Sequence, residues 1–232
     1  MFIAGFRLKT FVQQVLCTAY EIFDFGAYHP VREIRKRALS ETVDYIQRSM
    51  PSAIGVYTPR NVLDIALSSA LPQGHILEFG VFKGGTIRYI AAKDPNRSVH
   101  GFDSFEGLPE AWTGNTLGKG TFALGDTLPK VPKNVALHRG WFSETLPKWL
   151  TSNPGEIAFV HIDCDLYSST KTIFDLIAPR LVAGSIIVFD EYFGYPNWKN
   201  HEFKAFQEFV QENAVKYEYL AYARVQVAIK LL

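Results

Sequence analysis

Residues Ile76 to Thr86 read Ile-Leu-Glu-Phe-Gly-Val-Phe-Lys-Gly-Gly-Thr, and few folds admit such a run. A short apolar stretch ends in an acidic residue, Glu78. Glycines follow at 80, 84 and 85, and then Ile87, Tyr89, Ile90 and Ala91 take up helical spacing. Strand, tight glycine turn and helix in that order predict the opening unit of an α/β sheet. In open sheets of this kind ligands bind beyond the carboxyl ends of the strands, where strand order reverses. A chain of 232 residues is long enough for one such domain with appendages.

The residues around the turn narrow the ligand. A dinucleotide wants Gly-x-Gly-x-x-Gly, so that the backbone can approach the pyrophosphate. Counting from Gly80, the second glycine place is Phe82, whose side chain blocks that approach. The carboxylate of Glu78 repels a diphosphate and attracts an ammonium group. Asp103 closes the next apolar stretch, 25 residues after Glu78, where an acidic residue is placed to accept from both ribose hydroxyls. A ribose diol, an amino-acid ammonium and no phosphate describe S-adenosylmethionine. A nicotinamide-dependent oxidoreductase and a non-catalytic binder of the same donor are the competing readings.

Whole-chain properties exclude some partners. With 24 basic and 23 acidic residues the formal charge is +1, which provides no electrostatic case for nucleic acid or for a membrane surface. Cys17 and Cys164 lie far apart in sequence and read as reduced thiols of a cytoplasmic protein. No apolar run approaches the roughly 20 residues of a membrane span, and neither a span nor a signal peptide is expected.

Residues 1 to about 27 place Leu8, Phe11, Val12, Val15, Leu16, Ala19 and Phe23 near a 3.6 period. An amphipathic helix is expected there, packed within the protein or in a homodimer. Pro30 to Met50 carries a basic cluster, Arg32, Arg35, Lys36 and Arg37, read as a solvated helix face. Residues 1–58 are therefore taken as a helical extension and 59–232 as the main domain. Pro51 to Thr58 reads as a loop and Pro59 to Leu71 as a helix capped by Thr58, with Tyr57 and Thr58 on the rim of the nucleotide site. The segment from Ser104 to Lys133 is rich in Gly, Thr, Pro and Lys and shows no period; a lid is expected, with Trp112 and Phe122 as its aromatics. Val135 to His138 predicts a third strand, after which Trp141 and Ser143 would meet an adenine. Tyr217 to Ala223 and Val225 to Leu231 close the chain as an antiparallel hairpin.

Ile157 to Ile162 is continuously apolar apart from His161, as suits a parallel strand buried on both faces. It ends in Asp163-Cys164-Asp165. The next strand, Ser185 to Phe189, ends in Asp190-Glu191. Carboxylates at neighbouring strand tips repel one another unless protonated or neutralised by a cation, and oxygen ligands suit Mg²⁺ or a similar divalent ion. Asp163, Asp190 and Glu191 are the expected metal ligands. Asp163 is also the expected base, with His201 as an alternative. Asp165 or Ser168 is read as the cap of the following helix, and His161 and His138 as satisfied core histidines.

Four motifs in order, Glu78 to Thr86, Gly101 to Pro109, Asp163 to Tyr167 and Asp190 to Tyr192, resemble class I S-adenosylmethionine-dependent methyltransferases. The chain from about 55 to 230 is similar to the macrocin O-methyltransferase family, which methylates sugar hydroxyls in antibiotic biosynthesis. The resemblance implies a Rossmann-like, seven-stranded, mostly parallel sheet with the last strand antiparallel and helices on both faces. It implies metal-assisted O-methylation of a small hydroxylated acceptor. The donor contacts are then Tyr57, Thr58, Glu78, Gly80, Gly84, Thr86, Asp103, Ser104, Gly140, Trp141, Phe142, Ser143 and Asp163. Where the family has Asp-Asp this chain has Asp190-Glu191, and beyond Lys199 its acceptor-site residues depart from the family.

Overall fold

The computed structural model of the protein describes residues 14–17 and 29–232. Residues 14–17 are helical; the rest of the helix expected over 1 to 27 lies outside the described residues. Helix α1 (Pro30–Ser49) begins at Pro30, with the imidazole of His29 accepting from the Val31 amide at 3.2 Å. It docks through buried Ala38 and Thr42, and the Thr42 hydroxyl accepts from the Gly194 amide at 3.0 Å. Its basic residues face solvent, as the charge pattern predicts.

The expected loop before Pro59 contains a two-residue strand, β1 (Ile54–Gly55), paired in parallel with β7 (Tyr217–Ala223). The remaining strands are β2 (His75–Phe79), β3 (Val99–Asp103), β4 (Val135–Arg139), β5 (Ile157–Ile162), β6 (Leu181–Phe189) and β8 (Gln226–Leu231). They form one eight-stranded sheet in the order β1-β7-β8-β6-β5-β2-β3-β4. The count is one more than expected, and the extra strand is β1. Its pairing depends on an edge offered by β7, which no local pattern near residue 54 could announce. Only β8 runs antiparallel to its neighbours.

Helices cover both faces because each presents one apolar stripe to the sheet. On one face α2 (Pro59–Ser69) and α3 (Gly85–Lys93) bury Val62, Leu63, Ala66, Ile87 and Ile90. On the other, α4 (Phe142–Ser152), α5 (Tyr167–Ile177) and α6 (Glu202–Glu212) bury Leu146, Ile173, Phe174, Phe206 and Phe209. Thr58 caps α2 as predicted, its hydroxyl accepting from the Asn61 amide. Asp165 does not cap α5; Leu166 precedes that helix without a side-chain cap, and Ser168 instead donates to Glu110 at 2.6 Å. No helix among the described residues is long and apolar enough to cross a membrane.

Register sets where the site falls. The chain steps from β2 outward to β3 and β4, then returns to β5 on the other side of β2, so strand order reverses between β2 and β5. Phe79, Ile162 and Phe189 lie in one row across β2, β5 and β6. The next residues, Gly80, Asp163 and Asp190, therefore leave the sheet side by side, held by Gly80 N–H to Phe102 O, Asp163 N–H to Phe79 O and Asp190 N–H to Ile162 O, each 2.9 Å.

His138 is half-buried and finds its partner in a second histidine. It stacks on Phe102 and lies 3.2 Å from His100, whose Nδ1 accepts from the Trp149 indole at 3.2 Å; His75 packs edge-on against Trp149. Burial first, then His138 and His75, push the His100 pKa from 6.5 down to about 4. The unfolded chain binds this proton more readily than the folded one, so stability falls as pH drops from 6.5 towards about 4. Urea midpoints across that window are expected to fall less steeply in His100→Asn than in the wild type.

Candidate active site

Beyond the strand tips lies a cavity of about 420 Å³. Its floor is the glycine turn and the strand ends, with Gly80, Phe82, Asp103 and Ser104 on one side and Asp163, Cys164, Asp165 and Glu191 on the other. Trp141 and Phe142, at the start of α4, form a side wall. The segment between β3 and β4 folds over the top without regular structure and contributes Leu108, Pro109, Trp112, Leu117 and Phe122. The Phe122 ring meets the edge of Phe82 at 5.4 Å, closing the lid onto the turn.

Asp103 organises the turn itself. Its Oδ2 accepts from the amides of Val81 and Phe82 at 2.8 and 2.7 Å, and its Oδ1 from that of Phe105 at 2.7 Å. These bonds hold Phe82 at φ 45, a conformation a bulky residue rarely adopts. A carboxylate offers about four acceptor positions, so three amides leave room for about one ligand hydroxyl where two were expected. Ser104 faces the same cavity.

Glu78 is placed differently from its expected role. It is buried, takes no part in the cavity wall, and its Oε1 lies 3.1 Å from His161 Nδ1. His161 sits between Glu78 and Asp190, whose Oδ1 is 3.8 Å from its Nε2. Burial opposes charge on the imidazole, but the flanking Asp190 and Glu78 outweigh it and hold the His161 pKa well above its ordinary value. Burial also pushes Asp190 up, yet His161 prevails and holds it below the usual carboxylate range. The core histidine thus lies between two carboxyl groups, hydrogen-bonded to Glu78 and facing Asp190. Its signal in sequence was a lone basic residue in an apolar strand opposite an acidic one, legible only once β2 and β5 are known to pair Glu78 with His161.

Of the expected metal trio, Asp163 and Glu191 come together, but the third carboxylate beside them is Asp165. One oxygen from each of these three lies within 4.8 Å of the others. Asp190 points towards His161 and accepts from the Gln226 side chain of β8. Asp190 and Glu191 lie in the bend that follows β6, where Asp190 is turned towards β5 and β8 while Glu191 lines the cavity. Asp165 reaches the cluster because its backbone is left-handed, φ 64.

The cluster is electrostatically uncomfortable by itself. Burial first, and then Asp190, push Asp163 and Glu191 well above the ordinary carboxylate range and Asp165 up to about 7. Glu191 Oε2 is buried with no hydrogen-bond partner. Three converging carboxylate oxygens, beside an unpartnered oxygen of Glu191, fit a hard divalent cation.

The remaining expected contacts are not in the cavity wall. Tyr57 is 97% exposed, and the Thr58 hydroxyl is engaged with Asn61. Gly84 precedes α3 in a left-handed conformation; Thr86 lies within α3; Gly140 donates to the Asp103 carbonyl at 3.0 Å; Ser143 is exposed on α4. His201 is buried with Nε2 3.2 Å from the Thr113 carbonyl, which ties it to the lid rather than to the cavity.

Residues 77–192 match the family model described as a methyltransferase domain. The chain is 30% identical over 152 residues to the 8-demethyl-8-(2,3-dimethoxy-alpha-L-rhamnosyl)-tetracenomycin-C 4'-O-methyltransferase of Streptomyces olivaceus, covering 56% of this chain and 57% of that protein. It is 27% identical over 157 residues to the mycinamicin III 3''-O-methyltransferase of Micromonospora griseorubida, covering 57% and 60%. The chain thus spans under two thirds of the length of these relatives. The crystal structure of a calicheamicin methyltransferase superposes with a TM-score of 0.59 at 27% identity, covering 74% of this chain and 76% of that one.

Proposed function

Because the chain belongs to the methyltransferase-domain family, we propose that it transfers a methyl group from S-adenosylmethionine to a hydroxyl of a small molecule, a sugar or another natural product, with a divalent metal assisting. The observation that carries this reading is one cavity in which the glycine turn and Asp103 adjoin a half-buried three-carboxylate cluster beneath an apolar lid. The relatives named above are O-methyltransferases of glycosylated natural products, which supports a hydroxylated acceptor.

In this reading Asp103 accepts a ribose hydroxyl, and Trp141 and Phe142 offer flat faces to the adenine. Asp163, Asp165 and Glu191 would hold the metal, with Asp190 kept in place by His161 and Gln226 as a neighbour of the cluster. When bound, the metal would lower the pKa of an acceptor hydroxyl and orient it. Asp163, at the junction of the donor side and the carboxylate side, accepts the hydroxyl proton. Trp112, Leu108 and Leu117 shed water from the reacting groups and present an apolar surface to the acceptor. Exposed Val31, Ile34, Leu39 and Val43 of α1 support a homodimer, to be checked by light scattering.

Calorimetric titration with S-adenosylhomocysteine tests the donor site. Micromolar binding, about −8 kcal/mol, is expected, tighter with Mg²⁺ than with chelator. Absence of binding in both conditions would refute the methyltransferase reading. Binding without turnover on any hydroxylated acceptor would favour a donor-binding protein without activity.

A further inference from the structure

We infer that Glu202 is a positioning residue that holds the two carboxylate-bearing loops at one spacing; this rests on the metal-assisted reading above. Glu202 opens α6, is fully buried and takes no part in the cavity wall. Its two oxygens are divided between two loops. Oε1 accepts from the backbone amide of Asp165 at 3.3 Å, and Oε2 from that of Glu191 at 3.2 Å.

Those amides lie beyond the point where the β5–β6 ladder ends, its last pair being Ile162 and Phe189. Past that row the strands no longer set the distance between the loops, and the Glu202 carboxylate bridges them instead. The two residues it grips are the ones whose side chains meet Asp163 in the cluster. An apolar side chain would fill the same space but leave both amides without an acceptor, whereas one carboxylate supplies an oxygen to each loop. Glutamine keeps the length but has one acceptor oxygen, and aspartate keeps both oxygens but is one methylene shorter. Neither can satisfy both amides as glutamate does.

The test uses the full chain as wild type, Glu202→Gln and Glu202→Asp. Mn²⁺ affinity is read from the paramagnetic resonance signal of the free ion, and S-adenosylhomocysteine affinity is measured by calorimetry in chelator. Both variants are expected to lose about 10- to 100-fold in Mn²⁺ affinity, as outer residues that orient metal ligands do, with S-adenosylhomocysteine affinity changed by no more than about twofold. Unchanged Mn²⁺ affinity in Glu202→Gln, beside a wild type that binds the ion, overturns the inference alone. Parallel loss of both affinities reduces Glu202 to a folding role and also overturns it. A wild type that binds S-adenosylhomocysteine but not Mn²⁺ removes the metal-assisted reading itself.

Discussion

Asp163→Asn is expected to lower methyl transfer about 1,000-fold, roughly 4 kcal/mol of transition-state stabilisation, while S-adenosylhomocysteine still binds. Asparagine has nearly the shape of aspartate, so the backbone bond from residue 163 to the Phe79 carbonyl at 2.9 Å survives. What disappears is the charge. Asp163 faces the cavity with Asp165 and Glu191 within reach, and burial among carboxylates raises its pKa well above the ordinary range. A carboxylate so placed takes up a proton readily or requires a cation, and either property serves deprotonation of an acceptor hydroxyl. The amide does neither. Because the loss falls on the reacting centre, kcat and kcat/KM are expected to drop together. Turnover within tenfold of wild type would exclude Asp163 both as base and as metal ligand.

Gly80→Ala should be the most damaging single methyl that can be added to the turn. Gly80 has φ +90, and a Cβ there would stand 2.6 Å from the carbonyl carbon of Asp163, against backbone that cannot swing aside. Left-handed strain and overpacking together are expected to cost at least about 3 kcal/mol, or about 10 °C in Tm for a domain of this size. Gly85→Ala is the control. Nothing lies within 4 Å of its Cβ position, and Gly85 is the first residue of α3, so alanine is expected to be neutral or slightly stabilising. Thermal unfolding of the two variants side by side checks this; equal Tm values would contradict the close approach of β2 and β5 at residue 80.

The glycine turn, the strand-ending acids and the capped helix at Thr58 were all legible because each is a local pattern. An apolar run followed by Asp or Gly reports burial and then an exit from the sheet, whatever the rest of the chain does. The lid was legible as well, from the missing period between Ser104 and Lys133, and Trp112 and Phe122 do reach the cavity. The groupings were not. Glu78 was assigned to the ligand and faces His161; His161 was assigned to the core and lies between two carboxyl groups; Asp165 was assigned to a helix cap and joins the cluster.

Sequence alone determined the fold class, the chain order of the elements and the row of acids and glycines at their tips, because periodicity and turn chemistry are properties of each segment. Tertiary structure alone decided which acids meet. That outcome rests on register between β2, β5 and β6, on the side to which each residue turns as it leaves its strand, and on Gln226 and Glu202 arriving from distant elements. Pairing of this kind depends on distances between segments, which no single segment encodes.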